Sequence, residues 1–281
     1  MALPPQLAAL TARRRVRWWT GLAFLLALGP LSPAGDSSSA VGMGARPLAA
    51  QLPVDVEVGA SREVLSGDRE PWEEYWIRAT YRPATGTFIY GGARYTNRFG
   101  QEDQQYEAGT GFPLRDRWSL RADGSWSPTH RVVPIWRATG TVRHRPAAGW
   151  TLLAGGGREE WDARTVTRQH AGVERSFERF AVGYRLGFHQ TDPGRNGIRH
   201  DFTGTAFYGE RGNSISLGLG IGREAVPVAA GEVRSTTFRS ARLSGIHWLD
   251  GQTGIDYHFA VHRHGPFFTR TTSRIGIRRR F

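Results

Sequence analysis

The last eight residues, Arg274-Ile275-Gly276-Ile277-Arg278-Arg279-Arg280-Phe281, decide how the whole chain reads. In an extended backbone successive side chains point to opposite faces. Ile275, Ile277 and Phe281 therefore share one face, and Arg274, Gly276, Arg278 and Arg280 share the other. A closing strand with an apolar face and an aromatic carboxyl terminus is the form in which outer-membrane barrels meet their assembly machinery. Gly276 and Phe281 are the candidate assembly signal, and Arg279 interrupts the apolar row.

The same alternation runs upstream. Val54, Val56, Val58 and Ala60 oppose Asp55, Glu57, Gly59 and Ser61; Tyr75, Ile77, Ala79 and Tyr81 oppose Arg78, Thr80 and Arg82. Phe180, Val182, Tyr184, Leu186 and Phe188 form the clearest stripe, and Ile215, Leu217, Leu219 and Ile221 another. Trp118 and Trp126 bracket a strand, as amphipathic rings do at a membrane boundary. Strict alternation over four to eight residues means strand and not helix. The pattern predicts 14 strands, with 12 as the alternative because the strand through Ala171 and Val173 is weak and the phase changes near Phe238, where a bulge is expected. Short connections, such as residues 83–86, alternate with longer ones, such as 66–73 and 129–134. The fold expected is an all-β, antiparallel, up-and-down transmembrane barrel over residues 51–281. A soluble β-sandwich also alternates, but it lacks the terminal aromatic, the strand-end aromatics and the short–long rhythm.

Composition narrows the classes. Without cysteine there is no disulfide framework and no thiolate metal site. All 37 basic residues are Arg, and the formal charge is +12. They are spread along the strands, so the charge does not form the patch or helix that nucleic acid needs. Residues 18–28 are an apolar run behind Arg13, Arg14, Arg15 and Arg17, too short to span a bilayer, with small residues after it. Residues 1–50 read as a secretory signal peptide and linker, with cleavage expected after Ala34, Ala40 or Ala50.

The motif Y-G-G-A-R-Y at residues 90–95, the acidic G-Q-E-D at 100–103 and the terminal R-I-G-I-R-R-R-F together resemble the YaiO family of outer-membrane β-barrels. The resemblance implies a barrel in the outer membrane of a diderm bacterium. It brings no catalytic residues to carry over. Some relatives join such barrels to helical repeats in surface-polysaccharide systems; this chain shows no such repeats.

Ionised side chains do not face lipid cheaply, since Arg at mid-bilayer costs about 2–4 kcal/mol on a barrel. Arg78, Arg94, Arg121, Arg137 and Arg185, with Glu107, Asp123, Asp201 and Asp256, are therefore expected to line the lumen. Such a lining either packs as ion pairs or attracts anions and acidic sugars. His258, His262 and His264 share a face, and Ser273, His262 and Glu174 could be imagined as a hydrolase site, but no nucleophile motif surrounds any Ser. The expectation is a non-enzymatic, porin-like narrow channel or a structural or surface-interaction protein, with a link to surface polysaccharide implied by the resemblance; the rival is an outer-membrane hydrolase acting on lipid or polysaccharide. No cofactor or metal is expected. The expected partners are outer-membrane lipid, the barrel-assembly machinery, and an anionic solute or polysaccharide.

Deleting Phe281 is predicted to lower the amount of assembled barrel and leave periplasmic aggregate, measured as the heat-modifiable fraction on gels. Unchanged assembly would show that the terminal ring is incidental.

Overall fold

A computed structural model describes residues 54–67, 69–194, 196–209, 211–229 and 232–281, with the side chains of all of these except 225–229 and 232–234. Residues 1–50, where a signal peptide and its cleavage positions are expected, lie outside the described residues. The strands are β1 (Val54–Leu65), β2 (Trp72–Ala84), β3 (Thr87–Arg98), β4 (Gln101–Arg115), β5 (Trp118–Trp126), β6 (Trp136–His144) and β7 (Trp150–Trp161), followed by β8 (Arg164–Ser176), β9 (Phe180–Asp192), β10 (Asn196–Tyr208), β11 (Asn213–Ala229), β12 (Glu232–Trp248), β13 (Thr253–His264) and β14 (Phe268–Arg280). Each pairs antiparallel with its neighbours in sequence, and β1 pairs with β14, closing the barrel. Fourteen strands is the number the alternation favours over twelve.

Closure runs from Asp55 opposite Arg280 to Leu65 opposite Arg270. Beyond the strand, the Phe281 amide donates to the Val54 carbonyl at 2.8 Å, so the last residue completes the seam. Its ring is 59% exposed, level with Ile275 and Ile277. Arg279 also points outward, but its guanidinium donates to Thr253 Oγ1 and Gln252 Oε1 in the turn before β13. That turn is fixed by Asp250, whose carboxylate accepts from the Gln252 and Thr253 amides and is held below the usual carboxylate range by them.

The barrel is inverted relative to a soluble domain. Leu217, Leu219, Ile221, Phe259 and Ile275 are about half exposed, whereas Glu57, Glu63, Asp103, Glu107 and Arg270 are buried. The outer face carries aromatic belts near both rims. Tyr75–Tyr95 and Tyr106–Trp126 pair at the end away from the termini, and Trp118–His144 and Phe177–Phe180 at the end that carries them.

Two sequence expectations need correction. β12 has no bulge near Phe238; it stays in register with β13 from Phe238 to Trp248. The phase confusion arises because Phe238, Ile246 and Trp248 are apolar yet buried on the inner face. Register instead shifts beside Pro83, Pro113 and Pro227, residues that cannot donate to the ladder. The short–long rhythm is also less regular than expected. β3 and β4 are joined by Phe99 and Gly100 alone, both at positive φ as a tight hairpin turn needs.

At the end away from the termini, here the distal end, Leu65, Trp72 and Phe268 form an inner apolar cluster with Phe99 and Phe267 packed against it. The Trp72 ring meets Phe99 edge-on at 5.3 Å and carries the Arg98 guanidinium at 4.6 Å. Trp72→Ala is predicted to cost about 3–5 kcal/mol, the usual loss for a buried aromatic, read as a lower urea midpoint for the heat-modifiable form.

Candidate functional site: the charged lumen

Period-two alternation sends every second side chain inward, and adjacent strands bring those side chains within reach of one another. Arg78, Glu107, Arg94, Glu74 and Arg98 connect as a chain across β2, β3 and β4. Arg78 donates to Glu107 at 2.7 Å, Arg94 reaches Glu107 at 3.5 Å and Glu74 at 3.1 Å, and Arg98 donates to Glu74 at 2.6 Å. Across the seam, Glu57 accepts from Arg274 at 3.0 Å, Arg278 at 2.7 Å and the Trp76 indole at 2.9 Å. Higher on the same wall Arg270 faces Glu63 at 3.7 Å. These side chains cover one another almost completely, Arg270 at 3% exposure and Glu63 at 5%.

The opposite wall is looser. Arg121 pairs with Asp123, which also accepts the Tyr90 hydroxyl at 2.6 Å. Arg143 pairs with Glu174, and Arg168 with Glu159. Asp201 accepts from Arg199 at 2.6 Å and from Arg242 at 3.3 Å. Gly218 and Gly220 make room for this group: a Cβ on Gly218 would sit 2.3 Å from Arg242 Nε, and one on Gly220 3.0 Å from Asp201. Asp256 leans over Gly276, where a Cβ would lie 2.6 Å from its Oδ2. Gly276 thus has a packing reason of its own beside any role in assembly.

Arg137 and Arg185 stand apart. Each lies at an inner-face position, and neither makes an ion pair or hydrogen bond with a described residue. Glu159 is directly opposite Arg137, but its carboxylate is engaged by Arg168. Arg137 opens β6 near the distal rim; Arg185 sits midway along β9.

The distal mouth carries a tucked loop. Asp103 accepts the backbone N–H groups of Arg131, Val132 and Val133 at 3.0, 2.6 and 3.0 Å. Val132 and Val133 are buried, and Ser127 bonds back to the Gln104 carbonyl at 2.6 Å. The residue-level signal for Asp103 was the acidic G-Q-E-D, which gave no hint of what it would hold. Glu74, Arg98 and Arg270 belong to the site although the sequence did not single them out, because they come together only through pairings between strands.

The imagined hydrolase set does not assemble. His262 faces inward and Ser273 outward, on adjacent strands. Among the described residues no cluster of His, Asp and Glu could hold a metal; His264 instead faces Glu224 at 3.3 Å and stacks on Phe268.

This inverted, closed barrel is a membrane β-barrel. The model of the YaiO membrane beta barrel domain matches residues 54–226, and the chain belongs to that family. No curated protein sequence matches it. Among solved structures it is similar to a bacterial polysaccharide outer membrane secretin (TM-score 0.57, 9% identity, 83% of this chain and all of that one). It is also similar to the CymD monoaromatic hydrocarbon channel (TM-score 0.58, 10% identity, 82% of this chain and 89% of that one). At such identities the likeness is one of fold.

Asp103→Ala is predicted to free residues 128–134. Losing a buried charged acceptor of three amides should raise the open fraction by about a hundredfold, roughly 3 kcal/mol, seen as faster tryptic cleavage at Arg131 with the barrel still heat-modifiable.

Proposed function

We propose that the protein is a narrow, non-enzymatic outer-membrane barrel that favours anions, with its distal end at the cell surface and its distal mouth nearly closed at rest. The observation that carries this is the pair of lumen arginines Arg137 and Arg185, at two heights on the looser wall, which make no direct ion pair or hydrogen bond with a described residue while the nearest carboxylates, Glu159 and Asp201, are bonded to other arginines. A fixed positive charge in a low-dielectric wall concentrates anions. Paired residues such as Arg94–Glu107 contribute little field of their own and occupy the width of the lumen.

The distal narrowing fits this reading. The Leu65–Trp72–Phe268 cluster, the Glu63–Arg270 pair and the loop held by Asp103 all sit at that rim. An acidic sugar or another small anion suits the chemistry of the Arg137 and Arg185 guanidiniums, since guanidinium binds carboxylates in a bidentate fork. The polysaccharide and hydrocarbon named for the two structural neighbours differ from each other, so the chemistry of this lumen and not the fold favours the acidic solute.

Planar-bilayer recording tests the proposal. The unmodified protein is predicted to show small, anion-selective conductance, and Arg137→Ala with Arg185→Ala to lose that selectivity. Deleting residues 128–134 should raise the conductance. Large, cation-selective conductance from the unmodified protein overturns the reading. Silence of both the unmodified and loop-deleted forms also overturns it and leaves a structural barrel.

A further inference from the structure

The outer face of β11, β12 and β13 carries an arrangement that the lumen does not explain. Arg239 and Arg263 are direct cross-strand partners, and Arg223 lies diagonal to Arg239 across the β11–β12 ladder. All three point outward and are exposed. Direct neighbours on one face have Cβ atoms about 4.5–5.5 Å apart and diagonal ones about 7–8 Å, so like charges placed there repel. No carboxylate relieves them among the described residues. The outward neighbours are Ile198, Thr237 and Thr269, and none of the three arginines makes an ion pair.

Elsewhere near the distal rim an outward arginine has an acid. Arg62 stands opposite Glu73, and Arg158 bonds Glu160 at 3.3 Å. On the far side of the barrel the corresponding height is held by the aromatic pairs Tyr75–Tyr95 and Tyr106–Trp126. The height is fixed by neighbouring strand ends. Arg263 is the penultimate residue of β13, and Arg223 is level with Ile198, near the start of β10. β11 and β12 continue past this level. Toward the barrel middle lies an apolar wall, with Leu219, Ile221 and Val261 about half exposed. A shallow groove of about 350 Å³ runs between that wall and the Arg239–Arg263 pair.

We infer that this patch binds a phosphorylated glycolipid of the outer leaflet: its phosphates on Arg223, Arg239 and Arg263, its acyl chains along Leu219, Ile221 and Val261. A row of unrelieved guanidiniums directly above an apolar, lipid-facing wall matches a headgroup that carries anions immediately above its chains. Arg supplies a planar fork for phosphate oxygens, and each near-surface basic residue contributes to holding an anionic lipid. The inference rests on the outer-membrane placement proposed above, with the distal end outward.

The probe is bis-phosphorylated lipid A in phosphatidylcholine nanodiscs holding the full-length mature barrel, with retained lipid measured by native mass spectrometry. The unmodified protein should retain bis-phosphorylated lipid A over its dephosphorylated form. Arg239→Gln with Arg263→Gln should reduce that preference by about thirtyfold, the loss of two near-surface arginines. Arg62→Gln should keep it, and heat-modifiable migration establishes that each variant is folded. Millimolar inorganic phosphate should fail to displace the lipid, since it lacks the chains; complete displacement would reduce the patch to a general anion site and overturn the proposal. Equal retention of dephosphorylated lipid A, or full preference in the double variant, would also overturn it. Since the readout is lipid and not current, a silent channel leaves this inference standing, and a lost lipid preference leaves the passage reading untouched.

Discussion

Hydrocarbon offers no hydrogen bonds to a peptide, so every backbone amide and carbonyl within it must be paired by the chain itself. A sheet can meet that demand only by having no edge. The register from Asp55–Arg280 to Leu65–Arg270, completed by the Phe281 amide on Val54, removes the edge. Everything else in the molecule depends on that seam. Once the sheet is closed, alternation divides the side chains between lipid and lumen, and a one-residue slip would exchange the two sets.

Closure also sets the electrostatics. Charges excluded from the lipid face are confined to a narrow interior, where desolvation is costly unless partners are near. Across β14, β1, β2, β3 and β4 partners are abundant, and Glu57 alone serves two arginines and a tryptophan. On the looser wall Arg137 and Arg185 make no direct ion pair, since Glu159 is bonded to Arg168 and Asp201 to Arg199 and Arg242. The contrast between a packed wall and an incompletely paired one is the basis of the anion preference proposed for the lumen. An apolar cluster and an anchored loop sit at its distal mouth.

The same rule, applied to the exterior, isolates the Arg223, Arg239 and Arg263 patch. Charged residues are tolerated on a lipid face near the interfaces, where the cost falls to about 0–1 kcal/mol, so position at the rim accounts for their presence. It does not account for two guanidiniums placed directly opposite each other with no acid nearby among the described residues. The aromatic belts meet the interface through rings; this sector meets it through charge alone.

The strand count, the facing of Arg78, Glu107 or Ile277, and the barrel itself could be read from the sequence, because a period of two is local and needs no knowledge of partners. The family resemblance was legible in residues 90–103, which lie inside the matched region 54–226. The phase at Phe238, Ile246 and Trp248 was misread because apolar residues there face inward, and only tertiary packing shows that the inner face accepts them. Which arginines find acids was equally beyond the sequence. Arg137 and Arg121 look alike in the chain, yet the carboxylate opposite Arg137 is captured by Arg168, whereas Arg121 keeps Asp123 two residues away on its own strand. Asp103 shows the same division. The sequence marks an acidic turn, but only the closed barrel brings residues 131–133 to it across 28 to 30 positions of chain. Alternation along one strand fixes the face of each side chain; register between strands fixes its partners, and register exists only in the folded sheet.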